Sequence, residues 1–294
     1  MARWLRWTAA AAAAGSVAAA VAITLASRRW QSATAGLVGR MTGASTASNA
    51  PVSFDLLDTL PAPVRRYFRA VLRDGQPLVR TARISQTGRF RTEASGDPAA
   101  GWRPFEARQV FTGEPPGFVW DARVRMAPLA SVRVRDGYVR GAATMRGAVL
   151  GLLPVVDEPD GADLRAGALQ RYLAEAVWLP TALLPGPRLS WSPIDDAHAR
   201  ATLVDGSTTV SLDFEFGAGG EIAGSYTPAR RRAETGKGRY VTLPWGGRYR
   251  AYADRGGMRV PLESEVYWVV GGREEPYYRG RNVEVEYRFG DDGP

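Results

Sequence analysis

Two periodicities share this chain. Over residues 61–73 apolar positions recur at helical spacing: Val64, Tyr67, Phe68, Val71 and Leu72 make one stripe, and Arg65, Arg66, Arg69 and Arg73 lie opposite. Pro61 and Pro63 stand where a helix starts, Gly75 and Pro77 where it stops. From Leu78 the period is two. Ala82, Ile84, Gln86, Gly88 and Phe90 face one way; Arg83, Ser85, Thr87, Arg89 and Arg91 face the other. That alternation predicts a strand with one wet face. Phe105–Phe111 and Phe118–Met126 repeat it, and Val132–Val139 reads as a hairpin turning at Asp136-Gly137. A second helical pattern covers residues 164–184. Leu169, Tyr172, Leu173, Ala176 and Val177 form its stripe, Asp163 is the candidate cap, Pro180 ends the main helix, and Thr181–Leu184 adds a short turn. After Leu189 the strand period returns. Turns are predicted at Asp205-Gly206-Ser207, Gly217–Gly220, Pro244–Gly246, Asp254–Gly257 and Gly271–Pro276, with a basic loop over Arg230–Gly238.

These patterns predict an α+β, mainly β protein. About ten strands with short connections make a large curved antiparallel meander sheet, wrapped around the helix at 164–184. No internal repeat or second domain is evident, so residues 53–294 read as one domain.

The N-terminus has neither periodicity. Trp7–Ser27 carries no charge and ends at Arg28-Arg29, with Trp4, Trp7 and Trp30 around it. Its length suits a bilayer-spanning helix, although most of it is alanine. An uncleaved signal anchor over residues 1–30, a cleaved signal peptide ending near Ala33-Thr34-Ala35, and a buried Ala-rich helix all fit. The anchor is the favoured reading. It places the chain in a cell membrane, single-pass, with the domain extracytoplasmic and membrane lipid as the helix's partner. Residues 31–52 are rich in Ala, Ser, Thr and Gly and read as a flexible linker.

Charge adds a second membrane argument. The net charge is +8, and Lys237 is the only lysine. An Arg-rich surface is either simply solvated or attracted to anionic headgroups. No nucleic-acid motif is present. The chain has no cysteine and one histidine, so disulfides, thiolate chemistry and multi-histidine metal sites are excluded. There is no phosphate-binding glycine loop and no Gly-x-Ser-x-Gly turn, and no cofactor or metal is expected.

Candidate chemistry is sparse. Asp195, Asp196 and His198 lie close in sequence, and Glu175 sits mid-helix one turn after Arg171. As a hydrolase set these carboxylates must converge; otherwise they are turn formers and an i,i+4 ion pair. Glu263 and Glu265 share a strand face. A cavity between sheet and helix would be lined by Leu169, Tyr172, Leu173, Trp178, Leu183, Leu184 and Trp191, with Thr181–Leu184 at its mouth. Tyr277, Tyr278, Arg279 and Arg281 combine aromatic rings with guanidinium groups suited to an anionic headgroup, or else form cross-strand pairs.

Five blocks resemble a family of uncharacterised bacterial proteins, a domain-of-unknown-function family: RYLAEAVWLPTALLP (Arg171–Pro185), WSPIDDAHARATL (Trp191–Leu203), LPWGGRYRAY (Leu243–Tyr252), GMRVPLESEVYW (Gly257–Trp268) and PYYRGRNVEVEYRF (Pro276–Phe289). The resemblance implies no assigned activity and no catalytic residue. Where that family has an acidic residue in the Pro-Trp-x-Gly block, Gly246 stands here. The expected architecture is also similar to the folds of bacterial lipoprotein carriers and lipid-binding lipoproteins. The N-terminal anchor, the curved sheet and the sparse catalytic groups make non-catalytic binding of a lipid or other apolar ligand at the bacterial envelope the leading expectation. A carboxylate hydrolase and a structural or interaction module are the alternatives.

Overall fold

The computed structural model describes residues 2–45, 51–91, 100–128, 130–234 and 239–290. Thirteen antiparallel strands form one curled sheet: β1 (Val79–Arg91), β2 (Trp102–Thr112), β3 (Gly117–Ala127), β4 (Ala130–Val139), β5 (Ala142–Val149), β6 (Leu153–Glu158), β7 (Leu189–Pro193), β8 (His198–Asp205), β9 (Thr208–Phe216), β10 (Ile222–Glu234), β11 (Arg239–Arg255), β12 (Met258–Val270) and β13 (Arg273–Phe289). Their order is β6-β5-β4-β3-β2-β1-β13-β12-β11-β10-β9-β8-β7. The expected meander is thus two meanders. β1 starts mid-sheet and its partners step outward to the β6 edge. The chain then crosses to β7 and steps back inward until β13 pairs with β1, Ile84 opposite Val285 and Gly88 opposite Gly280.

Three helices accompany the sheet: α1 (Ala2–Ala44), α2 (Ala62–Val71) and α3 (Ala162–Glu175). Single 3-10 turns cover Phe54–Leu57, Ala176–Trp178 and Pro180–Leu183. α2 and α3 fill the concave face. The predicted stripe of α2 is its buried side, with Tyr67 packed edge-on against Phe216 of β9 at 5.9 Å; the helix packs on its own domain. Leu169, Leu173 and Trp178 are fully buried, and Phe111 meets Trp178 at 6.0 Å. α3 runs out of its own hydrogen bonds at its C-terminal end. Sheet tyrosines supply the donors: Tyr249 Oη bonds Ala174 O at 2.8 Å and Tyr287 Oη bonds Trp178 O at 2.6 Å. Gly88 and Gly280 form a trough for two more rings. A Cβ on Gly280 would fall 2.1 Å from Tyr278 Oη, and one on Gly88 2.8 Å from the Phe105 ring.

α1 takes the convex face. Residues 31–44, expected as linker, continue the helix, because Leu37, Val38 and Met41 pack on Val110, Val119 and Val139. Trp30 is an anchor to the sheet instead of a free interfacial ring. Its Nε1 donates to Asp121 at 2.9 Å, and the Arg135 guanidinium lies 4.6 Å from its ring centre. Residues 46–50 of the expected linker lie outside the described residues, as do residues 235–238 of the expected basic loop. Among the described residues, no helix is long and apolar enough to cross a membrane. The apolar run of α1 falls partly on residues 8–14, whose side chains lie outside the description.

Other corrections concern turns. Asp136-Gly137 lies inside β4, where a Cβ on Gly137 would meet Phe118 O at 3.1 Å; the hairpin turns instead at Arg140-Gly141, with φ of 54° and 79°. Both residues left-handed is the type I′ geometry that matches strand twist. Pro244 does not break β11. It lies opposite the irregularity between Thr227 and Arg230 of β10, where a missing N–H is tolerated. Arg230–Glu234 belong to β10, not to a loop, and Pro276 lies within β13. Asp163 caps nothing: Gly161 is the N-cap residue, and Asp163 pairs with Arg231 at 2.8 Å.

Candidate functional site

The concave face is packed through its centre, and space remains at one end of it. A cavity of about 280 Å³ lies where β1 begins and the turn at Pro180–Leu183 ends. Val52, Leu78, Tyr172, Ala182, Leu184 and Leu203 are among its walls. Each wall has a local cause. Pro180 opens the turn and Pro185 and Pro187 follow it, so the chain between them cannot continue α3 and instead arches over the opening. Val52 is tied down by two backbone bonds, its N–H to Gln76 O at 2.8 Å and Gly75 N–H to its O at 2.9 Å. Thr181 Oγ1 accepts the Val79 N–H at 3.1 Å, which fixes the turn to β1. The Tyr172 hydroxyl, pushed up by burial, stays a neutral donor and reaches Thr112 O at 3.0 Å. Leu56, 58% exposed, stands at the mouth with Arg188, which pairs with Glu114 and Asp205 at 2.6 Å each. An ion-paired edge at Arg188 and a mainly apolar lining suit a small apolar ligand or one chain of a lipid.

A wider groove, about 1130 Å³, is lined by Trp102, Arg103, Arg123 and Arg125 among others. It is more open and its lining more polar than that of the first cavity.

The other notable feature of the concave side is a buried ion network. Arg171 on α3 reaches Glu175 at 2.9 Å and Asp136 at 2.7 Å, and Gln109 donates to Glu175 at 2.7 Å. The Arg171 guanidinium lies 5.0 Å from the ring centres of Phe118 and Trp120. Burial alone would lower its pKa; Glu175 and Asp136 more than offset that, and it is held well above the usual arginine range. Burial pushes the Glu175 carboxyl up, against the pull of Arg171 and Gln109. Arg171 and Gln109 engage both carboxylates, so the network pins α3 to β2 and β4.

The hydrolase set is not brought together. Asp195 accepts the N–H groups of Ala197 and His198 at 2.8 Å each and bonds the His198 ring at 2.8 Å. It is the turn between β7 and β8, and those bonds, the Ala197 N–H first, lower its pKa. Asp196 offers its backbone carbonyl to Arg66. Among the described residues these groups share no hydrogen-bond partner with Glu175, and no group of three or more potential metal ligands occurs.

Of the residues expected to line a cavity, Tyr172 and Leu184 do so. Leu169, Leu173, Trp178 and Leu183 are core. Trp191 packs on Phe214 and Phe216 and donates to Leu183 O at 2.9 Å, bracing the turn from behind. Tyr277 and Tyr278 both turn to the concave side at an irregularity in the β12–β13 pairing, where Tyr277 accepts the Trp245 indole N–H and Tyr278 packs on Phe105. Arg279 and Arg281 lie on the convex face, Arg279 bonded to Glu265 at 2.7 Å and Arg281 opposite Glu263. Glu263 and Glu265 are therefore the cross-strand partners of arginines. At Gly246 a Cβ would fall 2.5 Å from Tyr267 Oη, so no carboxylate fits there beside that ring. The cavity walls missed in the sequence, Val52, Leu78 and Leu203, carry no signal beyond being apolar.

Fold and cavity together define a curled β-sheet protein plugged by helices, with a small apolar chamber at one end of the plug. The chain belongs to DUF6544, a family of unknown function, whose pattern matches residues 50–280. No curated protein matches it. Among solved structures it is similar to a LolA-superfamily protein from Nitrosomonas europaea, with a TM-score of 0.39, 10% identity, and 80% of this chain and 96% of that one covered. It is also similar to a putative outer membrane lipoprotein-sorting protein domain from Vibrio parahaemolyticus, with a TM-score of 0.36, 6% identity, and 71% and 86% covered. A β-barrel-like protein of unknown function from Brucella abortus gives a TM-score of 0.22 at 10% identity, with 72% and 99% covered. These are distant likenesses, and what the chamber holds follows from its own lining.

Proposed function

We infer that this protein binds a small apolar ligand, or one acyl chain of a lipid, without catalysis, in the chamber closed by the Thr181–Leu184 turn. The observation that carries this reading is the partly open, mainly apolar cavity of about 280 Å³ beside Tyr172 and Leu184. Its size is near the lower end of ligand-binding cavities, which suits one chain and not a whole lipid. The second part of the proposal is that α1 enters a membrane with its N-terminal half and holds the domain outside the cytoplasm. Residues 2–25 would extend about 36 Å as a helix, enough for a hydrocarbon core of about 30 Å. The exposed Val17, Val21 and Leu25 support that placement.

The test is titration of the full-length protein in detergent with a fluorescent fatty acid, alongside an Ala182→Trp variant that fills the chamber. Saturable binding by the wild type, weakened at least tenfold in the variant at unchanged melting temperature, upholds the proposal. Equal binding by both, or none by the wild type, overturns it.

A further inference from the structure

Of the twelve large hydrophobic side chains exposed among the described residues, seven fall in two stretches: Trp7, Val17, Val21 and Leu25 on α1, and Leu152, Leu153 and Val155 at the turn between β5 and β6. The two stretches meet. A Cβ on Gly151 would lie 3.8 Å from the Ala26 backbone and 3.7 Å from Arg133 Cδ, and Arg133 donates to Ser27 Oγ at 2.8 Å. The turn itself is shaped to project, with left-handed φ at Leu150 (53°) and Gly151 (75°). Leu153 is 66% exposed and Val155 55% exposed at a sheet edge. Arg28 and Arg29 follow directly in α1, both exposed and neither bonded to a carboxylate among the described residues. An apolar segment at the C-terminal end of the exposed apolar run of α1, with a basic collar beside it, matches the layered chemistry of a bilayer surface carrying anionic headgroups.

We propose that the Leu152–Val155 segment, the end of the β5–β6 turn and the start of β6, is a membrane-contact element, seated in the interfacial layer of the bilayer that α1 enters, with Arg28 and Arg29 at headgroup level. This rests on the reading of α1 as a membrane helix. The lengths agree: a helix crossing from its N-terminal end emerges near Ala26, beside Gly151. Two contacts, helix and turn, set the tilt of the domain. The chamber then stands at the far end of α1, because Ser45 bonds the carbonyls of Arg80 and Glu114 and both residues line the chamber. Eighteen helical residues separate Ala26 from Ser45, about 27 Å. The chamber therefore faces away from the bilayer, toward a donor or acceptor in the aqueous phase.

The cysteine-free chain makes a clean test possible. Leu153→Cys, Val17→Cys and, as a control, Ile194→Cys are each labelled with an environment-sensitive nitrobenzoxadiazole dye in the full-length protein. The proteins are placed in nanodiscs of phosphatidylcholine with and without phosphatidylglycerol. Expected are blue-shifted emission and quenching by spin-labelled lipid at positions 17 and 153, stronger at 153 with phosphatidylglycerol, and water-like emission at 194. Quenching at 17 without quenching at 153 overturns the contact and leaves the membrane helix standing. No quenching at either overturns both. Quenching at 153 alone upholds the contact and overturns the spanning helix.

Discussion

On β3, Phe118, Trp120, Ala122 and Val124 face the helices, while Val119, Asp121 and Arg123 face α1 and solvent. The same strands thus build two surfaces. The concave one is dry: aromatic rings, the α3 stripe, and an ion network with all its partners inside. The convex one is a ladder of opposite charges, Arg250 and Arg281 beside Glu263, Arg279 beside Glu265, Arg123 beside Glu106, with α1 held by a small apolar cluster. The difference teaches where charge is structural. Buried, Arg171 is held by two carboxylates; on the convex face the exposed arginines are replaceable, since water competes for their pairs.

That contrast can be broken by substitution. The largest effect is expected from Trp178→Ala, which opens a hole against Phe111 and should cost about 3–5 kcal/mol in urea unfolding. The indole N–H of Trp178 has no acceptor, so Trp178→Phe should lose far less. If Phe costs as much as Ala, packing is not what the ring contributes. Arg171→Met should follow at about 3–5 kcal/mol, because it strands Glu175 and Asp136 without a counter-charge. Its pH dependence has a definite sign. The folded-state pKa of Glu175, already raised by burial, rises further, above its unfolded value of about 4.3. Stability of the variant is then greatest below that value and falls as pH rises through the folded pKa. Unfolding midpoints that do not fall with pH would refute the assignment. The smallest effect is expected from Arg279→Ala on the convex face, under about 1 kcal/mol and shrinking as salt is added. A larger, salt-insensitive loss would erase the distinction between the faces.

Much of the fold was legible. The α2 stripe, the α3 stripe, the strand alternation in β1 to β3 and the Asp205–Ser207 hairpin are where the residues place them. The failures share a cause. Asp136-Gly137 looks like a turn because glycine permits one, yet here glycine serves close approach of a neighbouring strand, which no local pattern reveals. Pro244 looks like a break, and is tolerated because an irregularity in β10 faces it. Residues 31–44 look like linker because small residues dominate, yet three spaced apolar ones suffice to dock the helix. At the candidate site the Thr181–Leu184 turn was legible from its prolines. Val52 and Leu203 were not, since each joins the wall from a distant part of the chain.

What the sequence determined by itself is local: which residues share a face, where helices start and stop, and the absence of cysteines and of a second histidine. Side-chain period and backbone strain depend on near neighbours only, so they can be read in order. The tertiary structure alone decided that β13 closes on β1, that Asp136 joins the Arg171–Glu175 pair, and that the plug is solid at Trp178 but leaves a chamber at Leu184. Those outcomes depend on volumes and charges that meet only once residues distant in sequence are packed together.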